Sequence, residues 1–515
     1  MKLFGSKKGL KILFVGSEAA PFAMVGGLAA VMYSLPKALQ KLGHDARVFI
    51  PRYLNIDPDV YELELIHEHL EVPTDNEEGP KNLICNVRRY TPVKDVDPVT
   101  TYFLENQEYY EQRANVYGYG DDPVRWALLS RGVLEFLKFH DEWKPDIIVG
   151  ADWPMGYMFN YMKTVYKNDL EIADIASLLA IHNLAFQGMF NHRFVQEMDY
   201  DDGHSEVPSF ESNRLLKINA LRRGIIYSDA IVTVSENHSK EILTKDFGEG
   251  LEDLLKERRS VLFGILNGIN IDLWDPRNDP FVPEHFTTSK LERRLKNKQA
   301  LQERFGLPID KKTFVISIVS RLWSQKGINL LQPIIQTLLQ ELPIQLIVVG
   351  EGDHELMTFF QELQAANPTQ VGIHLQFDSD LPHLVFSGTD AVVIPSKYEP
   401  CGLTQMEAMR LGAVPIVRKV GGLADSVEDY NPDEGVGTGF VFEKFDSSSL
   451  MIAIIRAFEN FRDNKKWRAI QSRAMAQDFS WSASAKKYVN LFNRVIDLHK
   501  KRPKRKTSKK PQVNS

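Results

Sequence analysis

Two stretches of this chain alternate short apolar runs with amphipathic helical patterns, and no other feature of the sequence limits its fold as tightly. Runs of three to seven residues rich in Val, Ile and Leu suit strands, and a strand apolar on both faces belongs in a parallel sheet with helices on either side. The first stretch opens with a strand at 10–15, passes a loop at Gly26-Gly27 into a helix reaching Leu39, and returns as a strand at 46–50. Further strands are expected at 147–149, 178–181 and 230–234. The second stretch begins with 314–320 and continues through 345–349, 391–394 and 414–417. Residues 268–312, rich in Asn, Asp, Pro and charge, read as the crossover.

The expected fold class is therefore α/β, with two Rossmann-like domains at 1–265 and 266–481 facing each other across a cleft. An amphipathic helix at 482–499 is expected to pack back on the first domain, and 500–515 to form a disordered basic tail. Open parallel sheets bind ligands beyond the carboxyl ends of their strands, so the chemistry is sought in the loops there.

Charge narrows the partners. The whole chain carries −6, but residues 500–510 hold eight Lys or Arg and no acid, which leaves about −14 for the remainder. So acidic a body is a poor match for nucleic acid or anionic lipid. No apolar stretch approaches the roughly 18 residues that span a bilayer. Lys11 and Glu18 interrupt the only run resembling a signal peptide, so a cytoplasmic protein is expected. Two cysteines, Cys85 and Cys401, are too few for a disulfide framework or a zinc site. The D-x-D triplets Asp57/Asp59, Asp95/Asp97 and Asp378/Asp380 are short enough to arise by chance, and neither a metal nor a cofactor is expected.

The string Pro395-Ser396-Lys397-Tyr398-Glu399-Pro400-Cys401-Gly402-Leu403-Thr404-Gln405 follows an apolar strand and precedes a helical pattern. Gly402 lets a ligand approach the backbone, and the amides of Leu403 and Thr404 would lie in the first helical turn, where unpaired N–H groups favour a phosphate. Glu399 in the loop and Glu407 one turn inside the helix suit sugar hydroxyls better than phosphate. Arg321 and Lys326, at the end of a strand and in the loop after it, can place positive charge where a diphosphate leaves.

The segment Glu399-Pro400-Cys401-Gly402-Leu403-Thr404-Gln405 resembles the signature of bacterial glycogen synthases and plant starch synthases. Ser320-Arg321-Leu322-Trp323-Ser324-Gln325-Lys326-Gly327 and His182-Asn183-Leu184-Ala185-Phe186-Gln187-Gly188 are similar to two more of that family's motifs, and Gly264-Ile265-Leu266-Asn267-Gly268-Ile269 to another. The likeness runs in order from about residue 10 to 495. It implies a GT-B fold and retaining transfer of glucose from ADP-glucose to the non-reducing end of an α-1,4-glucan. By the same resemblance His182 lies beside the transferred glucose with Glu399 on its hydroxyls, while Arg321 and Lys326 serve the leaving group. Gly26, Gly27, Asn267, Gly402, Leu403, Thr404 and Glu407 belong to the donor side, and Asp152 to the acceptor side.

The chain also departs from that pattern. Where the family has K-x-G-G-L-x-D, it reads Met24-Val25-Gly26-Gly27-Leu28-Ala29-Ala30, without the lysine or the aspartate. No basic residue lies between Lys11 and Lys37, so this loop offers the amides of Gly26 and Gly27 and no side-chain cation. Ala151-Asp152-Trp153-Pro154 lacks the histidines of the family's H-D-W-H. Glu407 creates an E-x7-E spacing closer to the wider group of retaining GT-B transferases, whose second Glu often holds a ribose. Two alternatives stay open on sequence alone: a retaining transferase with another donor or acceptor, and a weakened or non-catalytic glucan-binding homologue.

Overall fold

The computed structural model describes residues 9–91, 99–188 and 201–501. Asp95, Asp97 and the tail beyond 501 lie outside them. By its internal contacts the chain divides into two compact units. One takes the chain up to Val232, Lys256–Leu262 and the residues from Ala485 on; the other takes Thr233–Leu255 and Phe263–Ser484. Residues 233–255 precede the sequence boundary near 265 yet group with the second unit. There the Glu241 carboxylate accepts the Gly421 amide at 3.0 Å with each oxygen, and Asp425 accepts the Asn237 amide at 2.8 Å.

The first sheet has nine strands: β1 (Lys11–Val15), β2 (Asp45–Pro51), β3 (Glu64–Pro73), β4 (Asn82–Tyr90), β5 (Thr101–Glu105), β6 (Ile147–Ala151), β7 (Ala176–Ile181), β8 (Ala230–Thr233) and β9 (Leu262–Gly264). Their order is β3-β4-β5-β2-β1-β6-β7-β8-β9. β1 pairs in parallel with β2 and β6, β2 with β5, and β6 with β7. β3, β4 and β5 form an antiparallel extension that the apolar runs do not announce. Each expected strand of this stretch forms, within two residues at either end. The helix Trp481–Lys500 packs on this unit: Phe492 is fully buried and meets Phe14 of β1 edge to face at 6.4 Å.

The second sheet has six strands, β10 (Phe314–Val319), β11 (Ile344–Val349), β12 (Val371–His374), β13 (Ala391–Ile394), β14 (Val414–Arg418) and β15 (Phe440–Phe442), all parallel in the order β12-β11-β10-β13-β14-β15. Its core divides by the two-residue period of a strand. Phe314, Ile316, Ile318, Leu346, Val348 and Val393 face one layer of helices, which includes Gln332–Glu341 and Ser447–Phe461. Val315, Ile347, Val349, Val392 and Ile394 face the other, with Leu381–Gly388 and Thr404–Arg410. Burial on both faces is why β10, β11, β13 and β14 read as largely apolar runs.

Candidate active site

In each sheet the strand order reverses beside the first strand of its stretch, between β1 and β6 and between β10 and β13. At such a switch point the loops after neighbouring strands diverge to opposite faces and leave a crevice. Gly26, Asp152, Arg321, Lys326, Glu399, Gly402 and Leu403 fall on those loops, whereas His182 follows β7, Asn267 follows β9, and Gly27, Thr404 and Glu407 lie in helices.

In the second unit Lys326 follows β10 and Glu399 follows β13. Lys326 Nζ donates to Glu399 Oε2 at 2.6 Å, and Ser396 Oγ donates to the same oxygen at 2.9 Å. Glu399 is only 8% exposed, so both bonds offset the cost of shutting a carboxylate away from water. Gly327 makes the approach possible: its φ is +68°, and a Cβ there would stand 2.0 Å from the Pro395 carbonyl oxygen. Gly421 supports the Glu399 loop from behind, with φ +44° and a would-be Cβ 2.0 Å from the Glu399 carbonyl oxygen.

Lys326, Glu399, Gly402, Leu403 and Thr404 all line one small cavity of about 40 Å³. No side chain caps the helix Thr404–Arg410 that opens there, so its first amides face that space uncapped. Three expected residues stand outside this lining. Arg321 is exposed and lays its guanidinium over the Trp323 ring at 4.2 Å. Asn267 is buried, its backbone amide directed at the Cys401 sulfur and its side-chain oxygen without a donor. Burial pushes the Glu407 carboxyl up from 4.5 to about 7, and no hydrogen bond or ion pair among the described residues offsets it.

In the first unit Asp152 follows β6 and His182 follows β7. Asp152 Oδ1 accepts the His182 amide at 2.6 Å and the Asn183 amide at 3.3 Å, while Oδ2 faces His182 Nδ1 at 3.2 Å. Asp152 holds φ at +56°, a conformation that costs a non-glycine residue on the order of 1–3 kcal/mol. Its own amide, bonded to the Ala180 carbonyl at 2.8 Å, and the two amides its carboxylate accepts sustain it. Asp152, expected to touch the acceptor, is thus built into the positioning of His182.

The glycine loop holds a residue that the sequence reading missed. Glu18 is 3% exposed, and its Oε2 accepts the amides of Val25 at 2.6 Å and Gly26 at 3.1 Å. The Gly26 amide, expected to face a donor, is therefore already engaged. Gly27 begins the helix Gly27–Lys41. Burial raises the Glu18 carboxyl above its ordinary value, the two amides pull it down, and nearby Asp152 raises it again. The available signal was an acid placed between an apolar strand and a paired-glycine loop. Ser396 was missed as well, since a serine three residues before a glutamate carries no signal of its own. Among the described residues no group of three or more His, Cys, Asp or Glu could hold a metal ion. No helix among them is long and apolar enough to cross a membrane.

Comparison with known proteins puts this geometry in context. Residues 11–257 match the family described as the starch synthase catalytic domain, and residues 300–473 match glycosyl transferases group 1. The chain is 40% identical over 490 residues to the glycogen synthase of Clostridium perfringens, covering 95% of this chain and 98% of that one. It is 36% identical over 492 residues to the glycogen synthase of Thermotoga maritima, with 95% and 99% covered. Its structure is similar to the catalytic domain of starch synthase IV from Arabidopsis thaliana bound to ADP and acarbose, with a TM-score of 0.79, 30% identity, and 95% of this chain and all of that one covered. Sucrose-phosphate synthase from Thermosynechococcus elongatus, at 18% identity and TM-score 0.54, shares the fold. With both halves matched in order and the whole length of the relatives spanned, the chain belongs to the family of glycogen and starch synthases, glucosyltransferases of the GT-B fold.

Proposed function

We propose that the donor is ADP-glucose and that glucose passes, with its α-configuration retained, to the non-reducing end of an α-1,4-glucan in the cytoplasm. In that reaction the bond from C1 of glucose to the diphosphate breaks, a bond from C1 to the acceptor oxygen forms, and the acceptor's hydroxyl proton leaves with the diphosphate. Negative charge grows on the leaving group, so cations fixed beside it lower the barrier more than they stabilise bound donor.

The observation that carries this reading is the Lys326–Glu399 pair at the mouth of an uncapped helix. It sets a cation, a hydroxyl acceptor and unpaired amides around one space. Lys326 and Arg321 attend the diphosphate with the amides of Leu403 and Thr404, and Gly402 gives the donor room. Glu399 binds glucose hydroxyls, and Glu407 and Asn267 serve the nucleoside side. His182, oriented by Asp152, contacts the transferred glucose, with Gly26 and Gly27 in the neighbouring loop. The part up to about 265 serves the acceptor and 266–481 the donor. The ADP and acarbose held by the Arabidopsis protein are consistent with this choice of nucleotide and glucan.

The test is to incubate the protein with labelled ADP-glucose, UDP-glucose or GDP-mannose and glycogen, and to measure incorporation. Preferential transfer from ADP-glucose supports the reading. Preference for another donor replaces it, and glucan binding without any turnover favours a weakened homologue, as the uncharged Met24 loop would suggest.

A further inference from the structure

Arg410 ends the helix Thr404–Arg410, and its Nε is buried without an acceptor. Other arginines with a buried unpaired nitrogen bond elsewhere through the same guanidinium: Arg52 to Glu111, Arg223 to Asp201, Arg258 to the Ser228 carbonyl and Arg473 to the Gly437 carbonyl. The Arg410 guanidinium has no hydrogen bond or ion pair among the described residues. Asp275, the carboxylate whose titration feels Arg410, is already held by Arg277 at 2.5 Å. A guanidinium in that state carries an unmet demand for an acceptor that an entering oxyanion would satisfy.

Arg410 lines a cavity of about 260 Å³. Ile269, Ile271, Met475 and Phe479 give it an apolar wall, and Asp478, whose carboxylate accepts the Ser480 amide at 3.0 Å, completes the rim. The Ile269 amide donates to the Phe479 carbonyl at 2.8 Å, so the two segments meeting here are those by which the chain enters and leaves the second unit. Seven helical residues span about 10 Å, which separates this cavity from the one lined by Thr404 at the other end of the helix.

We propose that the Arg410 cavity is a binding site for a small oxyanion, a carboxylate or a phosphate monoester, separate from the donor site. A guanidinium can bind a pair of oxygens through two of its N–H groups, and the apolar wall takes a short carbon skeleton. The volume suits a compact metabolite.

The test is isothermal titration of the full chain with inorganic phosphate and with acetate at constant ionic strength, on the wild type, Arg410→Gln, Ile271→Trp and Lys326→Ala. One or both probes should bind the wild type and Lys326→Ala alike, and bind Arg410→Gln and Ile271→Trp about tenfold or more weakly. Which probe binds tells phosphate from carboxylate. Ile271→Trp fills the cavity from its rim with the arginine in place, so the test stands even if Arg410→Gln misfolds. Equal binding by wild type and Ile271→Trp, loss of binding only in Lys326→Ala, or uptake of neither probe by the wild type at millimolar concentration would each overturn the proposal.

Discussion

One oxygen of the Asp152 carboxylate accepts the His182 backbone amide at 2.6 Å while the other faces the ring Nδ1 of the same residue at 3.2 Å. A single side chain so fixes both the backbone and the ring, committing Nδ1 as donor and leaving Nε2 for a ligand. Asp152→Asn keeps the shape and removes the charge, so kcat should fall about 10- to 100-fold with the fold intact. Asp152→Ala should also destabilise the protein by about 1–3 kcal/mol, because two amides lose their acceptor. Steady-state kinetics beside denaturant melts separate the two effects; normal kcat in Asp152→Asn would show that the charge is idle.

Lys326 is the only side-chain cation bonded to Glu399 among the described residues. Lys326→Ala, Glu399→Ala and Arg321→Ala should each lower kcat/KM by roughly 100-fold, the scale of a lost charge-assisted contact to a reacting group. Among the described residues the Arg321 guanidinium is held by the Trp323 ring alone, so Trp323→Ala should give a weaker version of the Arg321→Ala defect. Near-normal kinetics in the first three variants would move the chemistry elsewhere.

Activity is expected to survive EDTA, because Lys326 and Arg321 provide the charge that a metal otherwise brings to a diphosphate. Loss on chelation, restored by a divalent ion, would refute that assignment.

Met24 is 69% exposed on the loop that Glu18 pins. Met24→Lys puts a cation there without disturbing the core, and kcat/KM for ADP-glucose should rise by about 10-fold or more, the lower range of one charge-assisted hydrogen bond. Adding Ala30→Asp should raise it further. An unchanged rate in both variants, with brisk wild-type turnover, would mean the loop serves a different chemistry.

Glu407 makes stability depend on pH in a defined direction. Its carboxyl is raised from 4.5 to about 7 by burial, so between those values the native state holds a proton that the unfolded chain has released. The resulting stabilisation is complete below about pH 4.5 and is lost as pH rises through about 7. Glu407→Gln should therefore be more stable than wild type at pH 8 by on the order of 2 kcal/mol and nearly equal to it at pH 4. Melts at both pH values decide the matter, and the same difference at each would contradict it.

The parallel strands were legible because burial on both faces leaves little in them but Val, Ile, Leu and Phe. β3 was not: in Glu64–Pro73 only Leu70 and Val72 are buried, and no apolar run marks it. β12 and β15 are four and three residues long, too short for a pattern to develop. At the site, Gly402, Leu403 and Thr404 could be read from local spacing, since loop and helix start are contiguous. The Lys326–Glu399 bond joins residues 73 apart and depends on a close passage at Gly327 that no local window records. Glu18 escaped notice because its partners are backbone amides, which every sequence contains.

The helix Trp481–Lys500 sets an order on biosynthesis. Phe14 lies in β1, yet its partner Phe492 emerges from the ribosome only after all of the second sheet has been made. Through most of translation the first unit must wait with one flank of its core uncovered, while the second can close as soon as residue 484 clears the tunnel. The half that is made first is therefore the half that matures last, and its exposure to chaperones and proteases is set by the time taken to synthesise the other.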